Sequence, residues 1–238
     1  MDMPEHTVRS YEEELNRLRD TIARMGGLAE RQVAEATTAL VERDGDAAAE
    51  VVKRDAEIDA LEREVEGFCV RLLALRQPMG ADLRLIVACL KIGHNLERIG
   101  DYARNAAKRS IVLAEQPRLG SLNGFQRMAR MVQENLQGAI DALVTGDADR
   151  AEEVWGADEP VDEVYNGIFR EMLTFMMEDP RNITAAAHML FVAKNLERIG
   201  DHATNIAETA HYALQGASLP ENRPKGDDSA SAVARPHG

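Results

Sequence analysis

The sequence predicts an all-α protein made by tandem duplication, two three-helix bundles in one chain of 238 residues. Three observations carry that prediction. Apolar residues recur at three- and four-residue steps along almost the whole chain, the spacing of amphipathic helices. One Trp, four Tyr and five Phe, with few β-branched runs, argue against sheet. The heptapeptide Asn95-Leu-Glu-Arg-Ile-Gly-Asp101 recurs letter for letter as Asn195-Leu-Glu-Arg-Ile-Gly-Asp201, 100 residues later, and Ala103/Ala203 and Asn105/Asn205 extend the identity.

Each element follows from its own pattern. Leu15, Leu18, Ile22, Met25, Ala29, Val33, Ala36 and Leu40 give a first helix over 8–42, which Gly26-Gly27 weakens and is expected to bend. Asp44-Gly45-Asp46 supplies a turn and a capping acid. Ile58, Leu61, Val65, Phe68, Leu72 and Leu75 stripe a second helix that ends at Gln77-Pro78. Leu85, Cys89, Ile92, Leu96, Ile99, Ala103 and Ala106 stripe the third, which stops before Pro117. The cycle then repeats. Val132, Leu136, Ala139 and Leu143 mark a fourth helix closed by Gly146-Asp147. A fifth runs to about Glu178, and Asp179-Pro180 separates it from a sixth carrying Met189, Val192, Leu196, Ile199, Ala203, Ile206 and Ala210. The two units span 8–116 and 121–215, and the polar, proline-containing stretch 216–238 reads as a disordered tail.

Composition narrows the function. With 28 basic and 41 acidic residues the net charge is −13, which repels nucleic acid and anionic lipid. The longest uncharged, mostly apolar run, 182–193, is shorter than the roughly 20 residues of a membrane helix. No signal peptide is visible at the N-terminus. Cys69 and Cys89 fall near core-facing positions and read as small reduced hydrophobes. A cytoplasmic protein is expected, reaching a membrane only through partners.

Both units keep carboxylates four residues apart on a helix: Glu97/Asp101 and Glu197/Asp201, with Asn105 and Asn205 one further turn on. At an offset of 103, Asp55/Asp59 on the second helix matches Asp158/Asp162. Such pairs share a helix face and repel unless a cation neutralises them. Helical phase puts Glu97, Asp101 and Asn105 nearly opposite the core stripe of their helix, and likewise Glu197, Asp201 and Asn205. Asp55 and Asp59 fall on the flank of theirs. Acids on adjacent helices, with amide carbonyls nearby, are donors for a hard cation, so all ten residues are candidate metal ligands. A solvated acidic face, or neutralisation by Arg98 and Arg198, is the alternative. Gly100 and Gly200 interrupt a helix interior at a cost of about 1 kcal/mol each against Ala; tight packing explains them better than close approach of a ligand. His94 and His202 read as surface residues.

Nucleotide-binding glycine loops, a Gly-x-Ser-x-Gly elbow and His-Glu-x-x-His are missing from the sequence. A di-iron bundle needs Glu-x-x-His on two helices, and only Glu208/His211 fits. A carboxylate-bridged metalloenzyme and a metal-free scaffold remain as competing readings.

The doubled heptapeptide, the Arg76-Gln-Pro-Met-Gly-Ala-Asp-Leu-Arg84 turn and the six-helix layout together resemble the PhoU family, from about Val8 to Leu214. The resemblance implies a non-enzymatic cytoplasmic regulator that couples the ATPase of a phosphate ABC transporter to a phosphate-sensing histidine kinase, and a homodimer is expected. It restrains the starvation response when phosphate is plentiful. The family's acidic motifs bind metal clusters. Carried over, they fall on Glu97, Asp101, Glu197 and Asp201 and on Asp55, Asp59, Asp158 and Asp162, with iron, manganese, magnesium or zinc as the ion. Pro160, inside Asp158-x-x-x-Asp162, departs from the first copy and is expected to kink or start a helix there.

Overall fold

A computed structural model describes residues 3–220, with side chains from Ser10 onward. Seven α-helices follow in order: α1 (Met3–Glu42), α2 (Gly45–Arg76), α3 (Gly80–Ala114), α4 (Asn123–Thr145), α5 (Ala148–Trp155), α6 (Glu159–Glu178) and α7 (Ile183–Gln215), with one 3₁₀ turn at Pro180–Asn182. No strand occurs among the described residues. The fold is the duplicated helical one the sequence predicts. Most of the tail expected over 216–238 lies outside the described residues. Within them, Gly216 closes α7 at φ 73° and Leu219 is buried.

The turns that the repeat predicts are built alike. Asp44 accepts from the Ala47 N–H at 2.8 Å to start α2, and its match Asp147 accepts from Arg150 N–H at 3.0 Å to start α5. The left-handed residue just before each is Arg43 (φ 61°) in the first unit and Gly146 (φ 76°) in the second. Arg43 offsets its strained backbone by donating to the Ala114 carbonyl at 2.8 Å, at the C-terminus of α3.

Two differences from the sequence reading stand out. The expected fifth helix is two, α5 and α6, separated around Gly156-Ala157-Asp158. Pro160 sits in the first turn of α6, where its missing N–H costs nothing, so it starts a helix that in the first unit runs unbroken through Glu57. Gly26-Gly27 does not break α1. A Cβ on Gly26 would lie 2.9 Å from Ile140, so this glycine lets α1 and α4 come together across the units. Leu75, placed on the α2 stripe by its spacing, is exposed at the helix end.

In the first unit α1, α2 and α3 pack on one another, in the second α4 and α7 pack together and hold α5 and α6, and the units join through α1 against α4 and α3 against α7. Among the described residues helix α2 touches only α1 and α3, while α5 and α6 lie on the opposite flank against α4 and α7. One hydrophobic core runs through both units, from Leu18 and Ile22 through Leu96 and Ile99 to Leu136 and Leu196. Helices α3 and α7 are antiparallel. Arg84 donates to the Ala213 carbonyl (3.4 Å), Asn95 meets His202, and Arg109 lies over the Phe191 ring. Tyr102 and His202, at matched positions, face each other with ring centroids 5.5 Å apart. An approximate two-fold axis relating the units therefore passes between them.

Candidate functional site

The matched acids are not a uniform outer stripe. Asp55, Asp158, Asp162 and Glu197 are only 3%, 3%, 4% and 7% exposed. Asp59, Glu97, Asp101, Asp201 and Asn105 are half-buried, and of the ten only Asn205 is exposed. The outward face expected of Glu197 and the flank position expected of Asp55 are both corrected, and Asp158 and Asp162, whose phase the sequence left open, lie inside as well. Each third helix packs against a neighbour on more than one side, α3 on α1, α2 and α7, and α7 on α3, α4, α5 and α6. A position opposite the main core stripe is then covered by another helix instead of by water. Asp55 also continues the buried series Val51, Asp55, Ile58, and Asp158 continues Val154, Asp158, Val161. That four-then-three step was visible in the sequence and is the signal that marks both acids as inward.

In the first unit the buried acids are neutralised from within. Asp55 accepts from Gln32 Nε2 at 3.0 Å and is ion-paired with Arg104. Arg104 also reaches Asp101 through Nη2 at 2.6 Å, and Arg98 holds the other Asp101 oxygen at 3.1 Å. Arg98 continues to the Tyr102 hydroxyl at 3.1 Å. Three helices are thus tied through one arginine: α1 by Gln32, α2 by Asp55, α3 by Asp101 and Arg104. Neither Gln32 nor Arg104 was singled out by the sequence reading, because the repeat conceals them. Asn135 stands where Gln32 would map, and Thr204 where Arg104 would.

The second unit is built differently at the same place. Thr204 is buried and returns its hydroxyl to the Gly200 carbonyl at 2.9 Å, so the position that supplies a guanidinium in the first unit supplies a hydroxyl here. The cation is Lys194, at the position of His94, with Nζ 2.9 Å from Glu197 Oε1 and 4.9 Å above the Tyr165 ring. Asn135 donates to the Ala157 carbonyl at 3.3 Å, beside the α5–α6 break.

The two motif glycines serve packing. A Cβ on Gly100 would meet Ile58 at 3.0 Å, Asp55 Oδ1 at 3.3 Å and Gln32 Oε1 at 3.4 Å. On Gly200 the nearest atoms, from Val132 and Val161, are at 3.4 Å, with Asp158 Oδ1 at 3.9 Å. His202, expected on the surface, is instead half-buried on the two-fold axis with Nδ1 2.7 Å from Asn95 Oδ1. Burial, with Arg98 nearby, pulls its imidazole down from 6.5 to about 4. His94 is exposed as expected. Both cysteines are buried and unbridged, and burial pushes each thiol up to about 12.

The PhoU domain model matches residues 22–110 and, a second time, residues 125–210, one match on each unit of this arrangement. The chain belongs to the PhoU family. A relative from Caulobacter vibrioides, named a phosphate-specific transport system accessory protein PhoU homolog, is 54% identical over 226 residues, covering 94% of this chain and 98% of its own. One of the same name from Zymomonas mobilis is 43% identical over 223 residues, 94% of each chain. The crystal structure of PhoU from Pseudomonas aeruginosa matches with a TM-score of 0.84 at 41% identity, covering 87% of this chain and all of that one. That of the phosphate transport system regulatory protein PhoU from Streptococcus pneumoniae matches at 0.81 and 25% identity, covering 88% of this chain.

In this PhoU chain the buried Asp55 is already neutralised by protein groups. Asp55 is committed to Gln32 and Arg104, and among the described residues no three His, Cys, Asp or Glu side chains converge as a ligand set. The open edge of the first PhoU unit is different. There burial and the nearby Asp101 and Asp59 carboxylates raise the Glu97 pKa, with Arg98 and His94 opposing. On that edge Glu97 and Asp59 form no ion pair among the described residues, while Asp101 is held by Arg98 and Arg104.

Proposed function

We propose that this protein is a non-enzymatic cytoplasmic regulator of phosphate uptake. It works as a homodimer, coupling the ATPase of a phosphate ABC transporter to a phosphate-sensing histidine kinase and holding the starvation response off when phosphate is plentiful. The observation that carries this reading is similarity along nearly the whole chain to relatives named as phosphate-specific transport system accessory proteins. The use of the motif acids as inter-helix ties supports a scaffold that binds partners over a carboxylate metalloenzyme. No described helix is long and apolar enough to cross a membrane, which supports membrane association through partners. The test is genetic. Deleting the gene switches phosphate-starvation reporters on in phosphate-rich medium, and a reporter that stays silent with the kinase intact refutes the proposal.

For metal, the reading narrows to the first unit's open edge, Glu97 and Asp59, with Asp101 joining them by exchanging Arg98 and Arg104 for the ion. Two or three carboxylates, with water completing the shell, suit a hard hydrated ion such as magnesium or manganese better than a protein-caged zinc or iron. Added manganese is expected to raise the melting temperature of the wild type, and of Glu97→Gln/Asp101→Asn by less. Equal shifts in both proteins refute this site.

A further inference from the structure

The open face of the α3–α7 pair carries two rows of side chains, each stepping by seven residues. On α3 the row is Arg84, Lys91, Arg98 and Asn105; on α7 it is Phe191, Arg198, Asn205 and Tyr212. None of these residues is buried. Seven residues rise about 10.5 Å and return within about 20° of the same direction, so each row follows its helix edge along the seam. At one end, Ala88, Asn95, Asn205 and Thr209 help line an open cleft of about 430 Å³ between the rows. Midway, Tyr102 lies between the guanidinium groups of Arg98 and Arg198, 5.1 Å and 5.8 Å from its ring centre. At the far end Arg109 stacks on Phe191 at 4.6 Å.

Two features of this face are unexplained by the fold. Phe191, Tyr212 and Val112 are 55%, 42% and 38% exposed, and Val112 lies one heptad beyond Asn105. Arg84, Lys91, Arg109 and Arg198 form no ion pair among the described residues, in a chain where acids outnumber bases 41 to 28. They stay unpaired although Glu208 helps line the same cleft as Arg84 and Lys91, and Asp201 follows Arg198 by three residues on α7.

We propose that this face docks an acidic amphipathic helix supplied by a partner protein. Two helices with heptad-spaced edges leave a seam that a third helix fills at a crossing of about 20°. Its apolar stripe meets Phe191, Tyr212 and Val112, and acids on its flanks meet the unpaired cations. A nucleic acid is excluded by scale. It would run past the basic strip onto Asp101, Asp201 and Glu208 and into the field of a −13 protein. The chain's own residues 221–238 hold three acids against three bases and offer no charge match. The inference rests on the accessory-protein reading only for who supplies the helix.

The test uses the full chain and two synthetic helices with leucine at the a and d positions, one with glutamate and one with lysine at the flanking positions. The glutamate helix is expected to bind, the lysine helix not, and binding weakens as salt is raised. Lys91→Glu with Arg198→Glu weakens it by on the order of tenfold or more. Arg63→Glu, on the exposed side of α2, leaves it unchanged. Thermal melts confirm that each variant folds. Equal binding of the two helices, or full binding by Lys91→Glu/Arg198→Glu, overturns the proposal. So does a change in molecular mass of that variant from dimer to monomer, which assigns the face to self-association. These measurements use purified components, so their failure leaves the reporter result standing, and a silent reporter leaves them standing.

Discussion

At the residue scale, Arg104 decides how the first unit tolerates its acids. A carboxylate as buried as Asp55 needs both a hydrogen-bond donor and a counter-charge, and Gln32 and Arg104 supply one each. Arg104→Met leaves a buried charge with one donor and is expected to cost about 3–5 kcal/mol. Adding Asp55→Asn to that variant restores part of the loss, since the charge is gone while Gln32 still has an oxygen to donate to. Urea midpoints of the two single variants and the double measure the coupling. Additive losses would mean that Arg104 stabilises by packing alone. Nothing in the doubled heptapeptide announces this residue. Where the first unit uses a guanidinium three residues after Asp101, the second has a threonine turned back on its own helix.

At the element scale, identical motifs sit in unequal surroundings. Gly100 and Gly200 are the same letter in the same heptapeptide, yet the space above them differs by a few tenths of an ångström. Gly100→Ala forces Ile58, Asp55 and Gln32 to give way and is expected to destabilise by about 1–3 kcal/mol. At Gly200 the new methyl meets ordinary contact distances, so the gain in helix propensity, up to about 1 kcal/mol, leaves the variant neutral or more stable. Denaturation midpoints of the two variants check this, and equal effects at both sites would contradict it. The break between α5 and α6 has the same origin. The sequence repeats the spacing Asp-x-x-x-Asp, but Pro160 admits only a helix start, so the second unit holds Asp158 and Asp162 at the opening of α6, not midway along a continuous helix.

At the scale of the whole molecule, the units meet on a two-fold axis marked by Tyr102 and His202. The depressed pKa of His202 makes that contact sensitive to acid. The folded protein resists protonation that the unfolded chain accepts near its ordinary 6.5. Stability is therefore unaffected by this group above that pH, falls as pH drops from 6.5 toward about 4, and has lost the full contribution below. The loss is no more than about 3 kcal/mol. His202→Phe, which cannot titrate, is expected to flatten this part of the stability-against-pH curve measured by urea unfolding, and an unchanged slope would contradict it. Helix content, the turn acids Asp44 and Asp147, the duplication and the core residues Leu96, Ile99, Leu196 and Ile199 were all legible in the chain, because local periodicity and capping depend on near neighbours alone. The inward step of Asp55 and Asp158 was legible too, and what only the tertiary structure decided is which polar residues away from the apolar stripe are covered. A helix in this fold has packed neighbours on several sides, so phase relative to one apolar stripe cannot tell a solvated edge from a covered one. That is why Glu197 lies in the interior, why Arg104 and Lys194 answer the buried acids of the two units in different ways, and why His202 sits at the seam between the units.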